Sequence, residues 1–216
     1  SDSGHAIALV SPDSERTFAT YLGAAVELNA DDLTPEDFKD YTYFHVEGYL
    51  VQNHKLLQKA LKLAKDNNML ISLDLASFNV VNENIDFLNS IIDQYVDIVF
   101  ANEDEAKAYT GKNPDEAVSE IAKHCEFAVV KKGSEGSIIK KGEETHYIGI
   151  IPVNLLDTTG AGDLYASGFL YGLANNLSLD RCGAVGSFIA GKVIEVIGAK
   201  MDEQRWHEVH QMLKKI

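Results

Sequence analysis

The sequence predicts an α/β protein built on a mainly parallel sheet with helices over both faces. Three observations carry that expectation. Short β-prone runs at residues 5–10, 17–22, 43–46, 69–75, 96–100 and 127–130 alternate with amphipathic segments in the later part of the series, the pattern of βα units. Met69-Leu70-Ile71-Ser72-Leu73 is apolar almost throughout, as suits a strand covered on both faces. After Leu156 the pattern turns to helices.

The elements follow in order. Residues 5–10 enter strand-like sequence at once and 17–22 follow as a second strand. Thr34-Pro35-Glu36-Asp37 and Asn113-Pro114-Asp115-Glu116 each place a capping residue before Pro at N1 and an acid at N3, which predicts two surface helices. Residues 53–66 put Leu57, Ala60, Leu61 and Ala64 on one stripe at helical spacing. Between Gly133 and Gly149, glycines and charges separate β-prone residues 137–139 and 146–151, an antiparallel hairpin late in the sheet. Three helices close the chain at 161–175, 179–196 and 202–215, the last with Trp206, Val209, Leu213 and Ile216 spaced three and four apart. With no tandem repeat, low-complexity tract or linker, residues 1–216 read as a single domain.

Composition narrows the function. Acidic residues outnumber basic ones 33 to 19, for a formal net charge of −14, and a field of that sign repels nucleic-acid phosphates and anionic membranes. No apolar run approaches the ~20 residues that span a bilayer, and Cys125 and Cys182 fit a reducing compartment better than a disulfide framework. The expected location is cytoplasmic. His207-Glu208-Val209-His210 lacks the two-residue gap of a zinc-binding His-Glu-x-x-His and reads as a solvated helix. The glycine-lysine phosphate loop Gly-x-x-x-x-Gly-Lys-[Ser/Thr] does not occur.

The chemistry concentrates in Asp157-Thr158-Thr159-Gly160-Ala161-Gly162-Asp163, between an apolar run and an apolar helix. Small residues at 160–162 let a ligand approach the backbone, and the first turn of the helix presents N–H groups and a positive dipole end to an anionic oxygen. Asp163 stands beside that anion hole, where it can accept a proton from an attacking hydroxyl. A tight strand-to-helix turn alone would account for a bare Gly-Ala-Gly.

The seven residues together resemble the Asp-Thr-x-Gly-Ala-Gly-Asp signature of the ribokinase family, also called the PfkB carbohydrate kinases. Asn102-Glu103-Asp104-Glu105 resembles the family's Asn-x-x-Glu element, although a capped helix, Asn102 at N-cap and Glu105 at N3, also explains it. Lys131-Lys132-Gly133-Ser134-Glu135-Gly136 resembles the family's nucleotide-phosphate loop, with a β-turn and solvated lysines as the alternative.

The resemblance implies a ribokinase-like three-layer α/β/α fold and transfer of the γ-phosphoryl group of ATP to a primary hydroxymethyl group. Asp163 would be the base, and Gly160, Ala161 and Gly162 would form the anion hole. Lys131, Gly133, Gly136, Thr158 and Asn102 would meet the nucleotide, and Glu105 would hold Mg2+ through water. In many members carbonyls of a region resembling 185–198, here with Val193 and Gly198, join positions equivalent to Asp157 and Thr159 around a monovalent cation such as K+.

Val46-Glu47-Gly48-Tyr49-Leu50 and residues 72–78 and 95–103 resemble the adenosine-kinase-like branch, and the Asp-x-Asn-x-Arg pattern of many sugar kinases does not occur. The expected acceptor is therefore a nucleoside, with a sugar as the alternative. A non-catalytic nucleotide-binding protein on the same scaffold is the reading from another class. The resemblance further implies that the chain corresponds to the C-terminal two thirds of such a kinase, most of the N-terminal portion and β lid being absent and residues 1–24 lying at the lid/core junction. Residues 150–155 and 185–198 are the candidates for the adenine contacts, and lid-mediated homodimers occur in the family.

Overall fold

The computed structural model describes residues 2–10 and 16–215. Strands β1 (Ser3–Val10) and β2 (Arg16–Gly23) form an antiparallel hairpin and a two-stranded sheet of their own. Ile7, Leu9, Tyr21 and Leu22 on this hairpin are each more than half exposed. Thr34 makes the expected reciprocal cap with Asp37, whose carboxylate accepts the Thr34 N–H at 2.8 Å. Only a single 3₁₀ turn, Pro35–Phe38, follows instead of a helix. The cap defines a start, but Phe38 is the one buried residue behind it and Asp40 already turns to a φ of 66°, so no apolar stripe carries the helix onward.

The main body runs β3 (Tyr43–Glu47), α1 (His54–Asp66), β4 (Leu70–Asp74), α2 (Phe78–Glu83), α3 (Ile85–Tyr95), β5 (Ile98–Asn102), α4 (Glu103–Thr110), α5 (Pro114–Ile121), β6 (Phe127–Lys131), β7 (Ser137–Lys141), β8 (Glu144–Ile148), α6 (Ala161–Ala174), α7 (Leu179–Val193) and α8 (Glu203–Leu213). The six strands lie in the order β3-β4-β5-β6-β7-β8; the first four are parallel, and β7 and β8 are antiparallel. Ile216, expected to end the last helical stripe, lies outside the described residues. No helix among the described residues is long and apolar enough to cross a membrane.

The two-residue period of the strands builds three layers. Val99 and Ala101 of β5, with Ala128 and Val130 of β6, pack against α1 to α5. Ile98, Phe100, Phe127 and Val129 face the other way, against Tyr165, Ala166 and Phe169 of α6 and Cys182 of α7. Helices α6 and α7 approach closely through glycine: a Cβ on Gly168 would stand 2.8 Å from the Cα of Gly186.

The same parity places the polar groups. On β4, Ile71 and Leu73 enter the core beneath α1, which turns Ser72 and Asp74 toward the α6 face. On β3, Val46 enters that core too, and His45 and Glu47 sit opposite Ser72 and Asp74 in the parallel register. Asn102 ends β5 opposite Lys131, which ends β6. Four strands thus deliver Glu47, Asp74, Asn102 and Lys131 to one face at their carboxyl ends, where open α/β sheets bind ligands.

Candidate active site

These strand ends form the floor of a cleft of about 1000 Å3 whose opposite wall is the turn leading into α6. Gly160 caps α6 in the left-handed region at φ 80°, and a Cβ there would stand 2.8 Å from that of Ala199. Only glycine meets both demands without strain. The N–H of Ala161 donates to the Thr158 carbonyl at 3.2 Å. The first-turn N–H groups that follow it, at Gly162 and Asp163, belong to the stretch of the turn that lines the cleft. Asp163 is open to solvent at this wall. Burial of its inner part, then the nearby carboxylates of Glu47 and Asp74, push its carboxyl above the ordinary aspartate range, while Lys131 and His45 pull the other way.

Asn102 and Glu105 form a complete capping box at the start of α4. Glu105 accepts from the Asn102 backbone N–H and from its side-chain amide, both at 2.7 Å, and the Glu105 N–H donates to Asn102 Oδ1 at 2.9 Å. The capped-helix reading of this tetrapeptide is therefore the local structure, and its residues also line the cleft. Glu105 is only 3% exposed, and burial, followed by the charge of Asp74, pushes its carboxyl up to about 7.

Lys131 crosses the floor to Asp74, Nζ to Oδ2 at 2.6 Å, with both side chains largely buried. Lys132, by contrast, turns to Glu135 at 3.1 Å and Asp115 at 3.8 Å. Gly133 and Gly136 line the cleft. At Gly136, with φ 89°, a Cβ would lie 1.9 Å from the Ile148 carbonyl oxygen, so the loop closes only around glycine.

Three of the residues expected around a monovalent cation, Asp157, Thr159 and Gly198, are linked by hydrogen bonds. Asp157 Oδ1 accepts from the N–H and hydroxyl of Thr159 at 2.9 and 2.7 Å, and Oδ2 accepts from the Gly198 N–H at 2.8 Å. Val193 ends α7 one residue before Ile194, whose carbonyl takes the N–H groups of Leu156 and Asp157. Strand β8 stops at Ile148, short of the expected 151. The released segment carries Ile150, Ile151, Val153 and Leu155 into the cleft opposite Ala190, Gly191 and Ile194. Gly191 is small because a Cβ there would stand 2.6 Å from Ile151. Two of these groups belong to the segments singled out for adenine, and they form an apolar wall away from the carboxylates.

Sequence reasoning singled out neither Asp74 nor Glu47 as a site residue, nor the His45 ring, which sits 2.8 Å from Ser72 and 3.2 Å from Glu47. Their signal was present: Ser72 and Asp74 are polar at alternate positions of an otherwise apolar strand, which puts both on one face.

The fold and this cleft define a ribokinase-like α/β scaffold, with the first turn of a helix and a carboxylate at the carboxyl edge of a mainly parallel sheet. The chain superimposes over 97% of its length, with a TM-score of 0.90 and 33% identity, on a probable sugar kinase from Rhizobium etli CFN 42, covering 65% of that chain. It matches an adenosine kinase from Sinorhizobium meliloti equally well, with a TM-score of 0.90 and 32% identity over 97% of this chain and 66% of that one. A 5-dehydro-2-deoxygluconokinase from Clostridium beijerinckii is 30% identical over 208 residues, covering 88% of this chain and 60% of the relative. The pfkB family of carbohydrate kinases matches residues 1–205, and the chain belongs to that family. It spans just under two thirds of the length of these three relatives.

Proposed function

We propose that the protein transfers the terminal phosphoryl group of ATP to a primary hydroxymethyl group, first of all on an adenosine-like nucleoside. The observation that carries this reading is the Asp163 carboxylate at the first turn of α6, in one cleft with Lys131 and Glu105. Asp163 takes the hydroxyl proton; its raised carboxyl range brings it nearer the working pH of a general base. The first-turn N–H groups of Gly162 and Asp163 stabilise charge gathering on the transferring group, and the Lys131 ammonium adds a further donor. Glu105 offers hard carboxylate oxygens at the floor, tied by Asn102 in a fixed orientation, which suits Mg2+ held through water. Bound there, Mg2+ would supply positive charge to the phosphates. The turn of Asp157, Thr159, Val193 and Gly198 is the proposed place for a monovalent cation. The apolar wall of Ile151, Val153 and Ile194 offers apolar surface to a base ring.

A sugar acceptor is the second reading, favoured by the likeness to a probable sugar kinase and to a 5-dehydro-2-deoxygluconokinase. The test is ADP release by the full-length protein from Mg-ATP with adenosine, ribose and fructose, beside Asp163→Asn. Turnover with adenosine, reduced by about 10²–10⁴-fold in the variant, supports the nucleoside reading and the base. Sugar turnover with the same loss moves the acceptor. Nucleotide binding without turnover of any acceptor favours a regulatory nucleotide-binding protein, and an unchanged variant removes Asp163 from the chemistry.

A further inference from the structure

We propose that Asp74 is a positioning residue for phosphoryl transfer: it holds the Lys131 ammonium against the first turn of α6, where that ammonium meets the terminal phosphoryl group of ATP. The proposal rests on the kinase reading above. Asp74 ends β4 and Lys131 ends β6, with β5 between them, so the pair reaches across two strand spacings, about 10 Å. A lysine extended that far over the floor adopts one direction among many that its four-carbon stem allows, and something must select it. Asp74 does so from a fixed position. Its Oδ1 accepts the Ala76 N–H at 3.0 Å, Ala76 itself being held at φ 64°, and its Oδ2 receives the ammonium at 2.6 Å.

The place to which Lys131 is brought is informative. A Cβ added to Gly162 would have Lys131 Nζ as its nearest neighbour, at 3.2 Å. The ammonium therefore lies directly on the opening turn of α6, positive charge beside the positive end of a helix, where the Asp74 carboxylate offsets their repulsion and an anionic phosphoryl group could meet both. An ammonium has three N–H donors; the bond to Asp74 uses one and sets the direction of the others. A side chain at 162 would press on the lysine at this point.

The competing explanation is that Asp74 only neutralises a buried lysine. A cycle of Asp74→Asn, Lys131→Met and the double variant separates the two. Calorimetry measures the affinity for Mg-ADP and for the Mg complex of a non-hydrolysable ATP analogue, and steady-state assays give kcat and KM for ATP. Lys131→Met is expected to weaken the analogue about tenfold or more relative to ADP. Asp74→Asn is expected to lose much of the same preference and to lower kcat more than it raises KM. The double variant should match Lys131→Met within about twofold, because Asp74 acts through the lysine. Multiplicative losses overturn the proposal, as does an Asp74→Asn variant that weakens ADP and the analogue equally. Asp74→Glu retains the charge but moves it outward, and serves where Asp74→Asn fails to fold. It must lose analogue preference with ADP affinity kept; retention of both overturns the proposal. The binding cycle needs no acceptor. A full-length parent protein that turns over no acceptor therefore fails the kinase reading, while the coupling of Asp74 and Lys131 is still decided.

Discussion

Replacing Gly160 with alanine tests the geometry of the turn into α6 through two separable penalties. The residue sits at φ 80°, and its added Cβ would stand 2.8 Å from the Cβ and 3.2 Å from the Cα of Ala199. Left-handed backbone costs an alanine about 1–2 kcal/mol. Carbon atoms rest at about 3.5–4.0 Å, so the overlap must open by roughly 0.7–1.2 Å. The yielding side is constrained, because the Gly198 N–H is bonded to Asp157 at 2.8 Å and Asp157 in turn holds Thr159. A displacement of residues 198–199 therefore reaches residues 157–163, where a misplacement of about 1 Å costs on the order of 10²-fold in rate. Gly160→Ala is expected to lose about 2–4 kcal/mol in urea denaturation and about a hundredfold in acceptor-dependent ADP release. Ala199→Gly in that background removes the overlap with the Cβ and leaves the milder 3.2 Å approach to the Cα and the backbone penalty, so activity should return toward the parent while about 1–2 kcal/mol of destabilisation remains. A single variant within about 0.5 kcal/mol of the parent, or a double variant no more active than the single, refutes the argument.

Three further outcomes are expected. Because the Asp163 carboxyl is raised by burial and by Glu47 and Asp74, the folded state holds that proton more tightly than the unfolded chain does. Stability from this group is present below the unfolded value and lost as pH rises through the folded one. Asp163→Asn should then be more stable than the parent at neutral pH, with the gap closing on acidification; a gap independent of pH in thermal melts counts against it. Glu47→Gln removes the largest like charge acting on Asp163 and should move the acid limb of kcat/KM to lower pH, and an unmoved limb would show that Glu47 does not bear on the base. Phe169 is fully buried and meets Phe100 edge-on at 5.5 Å, so Phe169→Ala should cost about 3–5 kcal/mol in denaturant titration; a loss under about 1 kcal/mol would mean that α6 does not rely on this contact.

What was legible in the sequence depended on whether a residue's role is local. Residues 157–163 could be read because turn, helix start and carboxylate are contiguous. Asn102 and Glu105 could be read in either of two ways; the cap is their local structure, and both also line the cleft. The capping signal at Thr34 misled because a cap specifies where a helix begins and says nothing of whether an apolar face sustains it. The hairpin was read too long because a strand lasts only while it has a partner: β7 begins at Ser137, opposite Ile148, so nothing in the ladder extends to residues 149–151. Asp74 and Glu47 stayed hidden for a related reason. Their meaning lies in which strands are neighbours, and Asp74 meets Lys131 from 57 residues away.

That adjacency changes the electrostatic argument as well. A net charge of −14 spread over the chain describes a far field, but strand order and parity gather Glu47, Asp74, Glu105 and Asp163 into one cleft with Lys131. The cleft is therefore acidic where the chemistry is proposed, and two carboxyls respond by rising above their ordinary range. An anionic nucleotide enters such a cleft only against compensating positive charge, from a divalent cation, the α6 N-terminus and the Lys131 ammonium that Asp74 aims. On the proposed reading those sources serve the phosphates, so the acceptor side, where the Glu47 charge acts on Asp163, is expected to favour neutral hydroxyl groups over a phosphorylated acceptor. A panel pairing fructose with fructose 6-phosphate measures this directly: a phosphorylated sugar with the higher kcat/KM would show that the carboxylates do not govern acceptor choice.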